Sequence, residues 1–408
     1  MKSSFNFHEF LKTWVFISTL ALLASLTFST ALMEITFTAA FIAWVLLKWR
    51  FPTPFFFERK MFVCLALFIF LCVISFFWSE FPKQSFRGVF KMLKYFAVFW
   101  IAAETLVPSE RHTRALRLLI LLFLFLGLDG MWQYVSGFDL LRHFPYEAAT
   151  AGPRISASFK NYGLLAAFII LFAPLLASRI QRKASADGFS LLAGIGILLG
   201  FFLVFWTRLR GAWIALAGGV IFYLFFAEKK IYLIFLLGAI FAGVLILPRS
   251  MLIHLDAQGK EQSLRERFYL WDRAIQVIEA RPWTGTGINT YTVAHEKYDQ
   301  TNNWRVRRYY AHNGYLQMAA ETGLPSLAFL LVFFFFYFKN AFRCLRQRQE
   351  ETEKRTIVGF LAGMAGFMIL GMTDTVFHNP QAIMSFWFLA GWGVAYQRSL
   401  ALSGRLRQ

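Results

Sequence analysis

Residues 304–338 read WRVRRYYAHNGYLQMAAETGLPSLAFLLVFFFFYF. The stretch opens polar and cationic, with Arg305, Arg307, Arg308, Tyr309, Tyr310 and His312 close together. From Thr322 to Phe338 it carries no charge at all. At about 1.5 Å of helical rise per residue, such a run is long enough to cross a hydrocarbon core. The stretch therefore reads as a surface segment feeding a membrane span.

The same template, moved outward along the chain, finds apolar runs near 13–29, 31–47, 61–78, 89–107, 115–134, 162–178, 189–206, 211–227, 231–247, 322–338, 356–373 and 382–397. Composition agrees. Of 408 residues 58% are hydrophobic and only 16% charged, where a soluble domain carries about a quarter. The expected fold is an all-α polytopic membrane protein of about 12 transmembrane helices, with one long extracytoplasmic loop containing short amphipathic helices. Its expected parts are helices one to nine over 1–247, the loop over 248–321, and the last three helices with a short cytoplasmic tail over 322–408.

A net charge of +19 would suggest nucleic acid in a soluble protein. In a chain mostly in lipid, cations serve topology and contact with anionic lipid, so no nucleic-acid partner is expected. Cys64, Cys72 and Cys344 show neither disulfide nor metal-ligand spacing. Asp374 and Glu321 stand isolated in the sequence, so neither a metal nor another cofactor is expected.

Lys and Arg in short loops set orientation. An even number of spans puts both termini on one side, where every loop is basic, and makes that side cytoplasmic. Four segments on the other side are basic against the rule: Lys83 to Lys94; Arg142, Arg154 and Lys160; Arg208 and Arg210; and 248–321. Snorkelling to anionic lipid is the bland explanation. The sharper one is an outward-facing cationic cleft for a lipid-linked phosphate or diphosphate.

Within the long loop, SLRERFYLWDRAIQVIEARP (263–282) reads as an amphipathic helix with Phe268, Trp271, Ile275 and Ile278 on one face. Ser263 is its expected N-cap, Glu266 the capping-box partner and Pro282 its stop. GTGINTY (285–291) reads as a turn rather than a phosphate loop, since it lacks the third glycine and the following helix of a dinucleotide fingerprint. His312 then falls at the outer mouth of the next helix, with Asn313 as a candidate cap. A single histidine there is usually structural. Its cationic surroundings favour a catalytic base that takes a proton from an attacking hydroxyl. Arginines beside it would neutralise a leaving diphosphate, as a metal does elsewhere.

Three motifs carry a family resemblance: TRLRGAWIALAGG at 207–219, SLRERFYLWDRAIQVIEARPWTGTGINTY at 263–291 and AHNGYLQMAAETGLPSL at 311–327. ISASFKNYGLLAAF at 155–168 adds a weaker match. Together they resemble the O-antigen ligase family, which shares its core with O-antigen polymerases. The resemblance implies a metal-independent, inverting transferase in the bacterial inner membrane, its site facing the periplasm and its long loop therefore a periplasmic loop. Its implied partners are an undecaprenyl-diphosphate-linked glycan donor, a lipid A-core acceptor and membrane lipids. It implies His312 as the catalytic base and Arg210 and Arg267 as diphosphate ligands. Arg208, Arg265, Arg308, Tyr310 and Asn313 are further candidates. An O-antigen polymerase would use the same donor. A polysaccharide-lipid transporter is a third class, but it should show polar mid-span residues and broken helices.

Overall fold

The computed structural model describes residues 6–53, 58–149, 152–180, 188–228, 232, 262–298 and 309–405. Among them are fourteen α-helices and a single two-stranded hairpin. The helices are α1 (Phe7–Ser25), α2 (Thr30–Arg50), α3 (Arg59–Ile74), α4 (Pro82–Thr105), α5 (Ser109–Ser136), α6 (Tyr162–Ala177), α7 (Gly188–Trp206) and α8 (Arg210–Phe226). After them come α9 (Gln262–Ala280), α10 (Tyr291–Ala294), α11 (Gly314–Thr322), α12 (Leu324–Arg346), α13 (Glu351–Leu370) and α14 (Pro380–Arg405). The hairpin pairs β1 (Glu147–Ala149) antiparallel with β2 (Gly152–Arg154).

Helices occupy eleven of the twelve expected apolar runs. The run 231–247 lies outside the described residues apart from Tyr232. Six helical stretches are both long and apolar enough to cross a membrane: Phe7–Ser25, Thr30–Arg50, Arg59–Trp78, Ser109–Ser136, Gly188–Trp206 and Leu324–Arg346. Tyr162–Ala177 and Arg210–Phe226 are apolar but shorter. The chain is an all-α, multi-pass membrane protein.

Helix α6 is buried along nearly its whole length and forms the centre of the bundle. α13 packs on α6 and α8, α14 on α4, α12 on α3, and α7 on α5, while α1 and α2 form a hairpin. Within lipid, helices associate through close packing, so small residues mark the contacts. A Cβ at Gly363 of α13 would stand 2.0 Å from the Leu171 carbonyl oxygen of α6, and one at Gly391 of α14 would stand 2.2 Å from the Phe99 oxygen of α4. These approaches hold the bundle's centre together.

One end of the bundle is tied by polar contacts between distant segments. Ser158 Oγ donates to the Thr27 carbonyl at 2.9 Å, and Gln381 Nε2 donates to the Leu26 carbonyl at 3.1 Å. The α1–α2 turn therefore lies beside the starts of α6 and α14. The start of α1 and the last turns of α14 come together at the opposite end.

Several cations that topology left unexplained have internal partners here. Lys94 of α4 pairs with Glu34 of α2. Arg154 meets Glu147 across the hairpin at 3.1 Å. Arg281 and Lys297 both contact Glu80. Part of the outer basic excess is thus structural, leaving Lys83 and Arg87 exposed on α4.

Candidate active site

Four chain segments converge around one carboxylate, Asp374. It sits in the turn between α13 and α14. A backbone hydrogen bond of 2.8 Å from the Gly314 amide to the Gly371 carbonyl straps the start of α11 onto this turn. That strap brings His312 to it, and His312 Nδ1 lies 3.5 Å from Asp374 Oδ1. The distance is long for a hydrogen bond, but such contacts tighten when substrate binds. His312 itself has φ = 47°, in the left-handed region. That conformation is uncommon outside glycine and is concentrated at functional sites.

The starts of α6 and α8 complete the arrangement. Asn161 caps α6, its Oδ1 accepting from the Gly163 amide at 2.9 Å and the Leu164 amide at 3.1 Å. A Cβ at Gly163 would stand 3.6 Å from Asp374 Oδ2. At α8, a Cβ on Gly211 would come within 2.3 Å of Thr373 Oγ1. The neighbouring residue, Arg210, opens that helix. Only glycine after Arg210 lets α8 begin directly against the Asp374 turn.

Arg267 lies on α9, which packs on α11. Burial pushes the Asp374 carboxyl up, but the facing His312, the Thr375 amide at 2.7 Å and the charge of Arg267 outweigh it. Asp374 therefore sits below the usual carboxylate range. One partly buried carboxylate thus responds to both the sequence-predicted base and one of the sequence-predicted cations.

A second histidine–carboxylate couple stands nearby. Glu321 of α11 is buried, and His378 Nε2 lies 3.1 Å from its Oε2. The same carboxylate accepts from the amides of Asn289 (2.7 Å) and Tyr291 (3.1 Å) and from Gln317 Nε2 (3.1 Å). Burial pushes Glu321 up, yet His378 and these amides hold it below its ordinary value. The 285–291 segment is accordingly a turn whose amides bind the protein's own carboxylate. Gly285 and Gly287 take φ of 64° and 105°, which is why glycine stands there.

Asp374 and Glu321, isolated in the sequence, are each paired with a histidine. Long-range folding made these pairs, since both partners of each lie on different elements. The one usable sequence signal for Asp374 was its setting: it is the single carboxylate between the last two apolar runs.

The other candidates have varied roles. Asn313 is the N-cap of α11, its Oδ1 accepting from Tyr315 (3.0 Å) and Leu316 (3.1 Å). Arg208 donates Nε to the Pro153 carbonyl at 3.0 Å and covers the Trp206 ring at 5.0 Å, so it clasps the β-hairpin. Tyr310 is 46% exposed with its ring 6.3 Å from that of His378. Arg265 is exposed on α9. Arg308 lies outside the described residues. Helix α9 begins at Gln262, so Ser263 is inside it rather than at its cap. Its buried face is Leu270, Ala274 and Val277, while Phe268 and Ile275 of the predicted apolar stripe are exposed. Phe268 and Ile275 are therefore free to meet the membrane, while Ile278 packs with Ala274 and Val277 on the cluster that holds Ala320 of α11.

The O-antigen ligase family model matches residues 195–331. This region is similar to the O-antigen ligase domain. It contains Arg210, Arg267 and His312, while Asp374 lies beyond it. The exopolysaccharide production protein ExoQ of Rhizobium meliloti (strain 1021) is 24% identical over 327 residues, 72% of this chain and 68% of that protein. Both matches support a membrane glycosyltransferase of the ligase and polymerase type.

Proposed function

We propose that the protein transfers a glycan from undecaprenyl diphosphate to a lipid A-core sugar hydroxyl, on the periplasmic face of the inner membrane. The observation that carries this reading is the meeting of His312, Asp374 and the field of Arg267 at one turn, with Arg210 opening the helix beside it. Asp374 facing Nδ1 leaves Nε2 of His312 to receive a proton from the acceptor hydroxyl. The base is thus oriented by a third group, as activated nucleophile systems require.

The acceptor oxygen then attacks the anomeric carbon, and the bond to the diphosphate oxygen breaks. The leaving diphosphate is already anionic, so no protein acid need protonate it. Arg210 and Arg267 would hold it through charge-assisted hydrogen bonds that strengthen as charge develops. A direct displacement of this kind inverts the anomeric centre.

The relative named for exopolysaccharide production favours a second reading, polymerisation, in which another lipid-linked glycan is the acceptor. Deleting the gene and examining lipopolysaccharide on gels separates the two. Loss of all O-antigen from the core, with polyprenyl-linked chains accumulating, is the ligase result. One repeat still attached to the core is the polymerase result. An unchanged glycan profile would exclude both.

A further inference from the structure

A cavity of about 370 Å³ opens at the end of the bundle opposite His312. Its position follows from the helices that frame it. It is lined by the start of α1, the end of α2, the α4–α5 junction and the last turns of α14. Gln381 of α14 is at the His312 end, and Arg398 is about 25 Å further along that helix at 1.5 Å per residue. That is close to the thickness of a hydrocarbon core.

The walls carry Lys12, Lys48, Arg111 and Arg398 against Glu9 and Glu104. Four cations and two carboxylates leave the lining two positive charges in excess. Glu9 contacts Lys12 at 2.9 Å and Glu104 contacts Lys48 at 2.6 Å. Arg111 donates to the Thr105 carbonyl at 3.2 Å and covers the Phe16 ring at 5.0 Å. Trp44, which donates to Glu104 at 2.8 Å, and Phe51 add apolar wall.

Orientation alone asks only for scattered cations near helix ends. Arg114, 57% exposed and paired with Glu110, is one of that kind. Here cations from four helices instead surround one hollow, and Lys48 is only 16% exposed. We propose that this cavity binds the headgroup of an anionic phospholipid from the leaflet opposite the His312 site. The excess positive charge suits one phosphodiester, and the aromatic and aliphatic wall suits the glycerol and upper acyl carbons. A small soluble phosphate would leave that wall bare. The site is independent of the transfer chemistry proposed above.

The test is native mass spectrometry of the purified full-length protein in neutral detergent, with equal amounts of phosphatidylglycerol and phosphatidylcholine of identical chains. Phosphatidylglycerol should be retained preferentially. Arg111→Gln and Arg398→Gln should each lower its retention about fivefold, the effect of one cation at an anionic surface. Lys12→Gln, at a half-exposed position, provides a third variant that disturbs packing little. Arg114→Gln should retain the lipid normally. Equal retention of the two lipids, or an equal loss in Arg114→Gln, would overturn the proposal. Glycerol phosphate binding as tightly as the lipid would overturn the lipid assignment.

Discussion

At the residue scale, the pairing of His312 with Asp374 has a direct kinetic consequence. Asp374 does not touch substrate in this scheme; it positions His312. Asp374→Asn should lower kcat on the order of 100-fold, the lower end of what acid–base catalysis contributes. Donor affinity should be unchanged, and the pH profile of kcat should shift. A fall in donor affinity with normal kcat would assign Asp374 to binding instead. Arg210→Ala and Arg267→Ala should act in the opposite sense. Each removes a hydrogen bond to a charged group, worth about 1.5–3 kcal/mol, and so should weaken donor binding about 10- to 100-fold. Titration with the lipid-linked donor measures this, and unaltered affinity would count against their role. His312, Arg210 and Arg267 were expected from the sequence because they lie in basic outer segments that break a topological rule and in motifs that resemble the family's. Asp374 and Glu321 were not, because an acid in an outer loop breaks none, and their histidine partners are distant in the chain.

At the element scale, α11 and the 285–291 turn are held by Glu321. Glu321→Ala would leave the amides of Asn289 and Tyr291, Gln317 Nε2 and His378 without their acceptor. Breaking such a buried arrangement costs about 3–5 kcal/mol. Hydrogen exchange should show faster exchange over 285–291 and 314–322, and unchanged protection there would contradict this. Both carboxylates also link this end to pH. Glu321 and Asp374 sit below their ordinary values, so their stabilisation is complete above the usual carboxylate range, near pH 4. It is lost as pH falls through the depressed folded values. Melting temperature should therefore fall on acidification below about pH 4, and less so in Asp374→Asn. The helices themselves were legible, since apolar runs of spanning length leave few alternatives. The start of α9 was not: Ser263 fits a cap by type, but helix α9 begins a residue earlier.

At the scale of the whole molecule, the site depends on how closely the helices approach. Gly211 is the case that bears on the site. Even alanine there would strike Thr373 and push the start of α8, with Arg210, away from the Asp374 turn. Misplacement of about 1 Å can cost on the order of 100-fold in such sites. Gly211→Ala should thus weaken donor binding while the purified protein keeps its elution volume and melting temperature. Normal donor affinity would show that α8 is not held in place by this contact. The sequence announced the glycines but not what they approach, because contacts between α6, α8 and α13 are set only when the bundle closes.

The starts of α6, α8 and α11 meet at the turn that carries Asp374, which faces His312, and the most direct measurement is made at that histidine. Purified His312→Ala should bind the lipid-linked donor with wild-type affinity and transfer no glycan in a single-turnover assay with acceptor present. Wild-type transfer by that variant would contradict the assignment of His312 as the base.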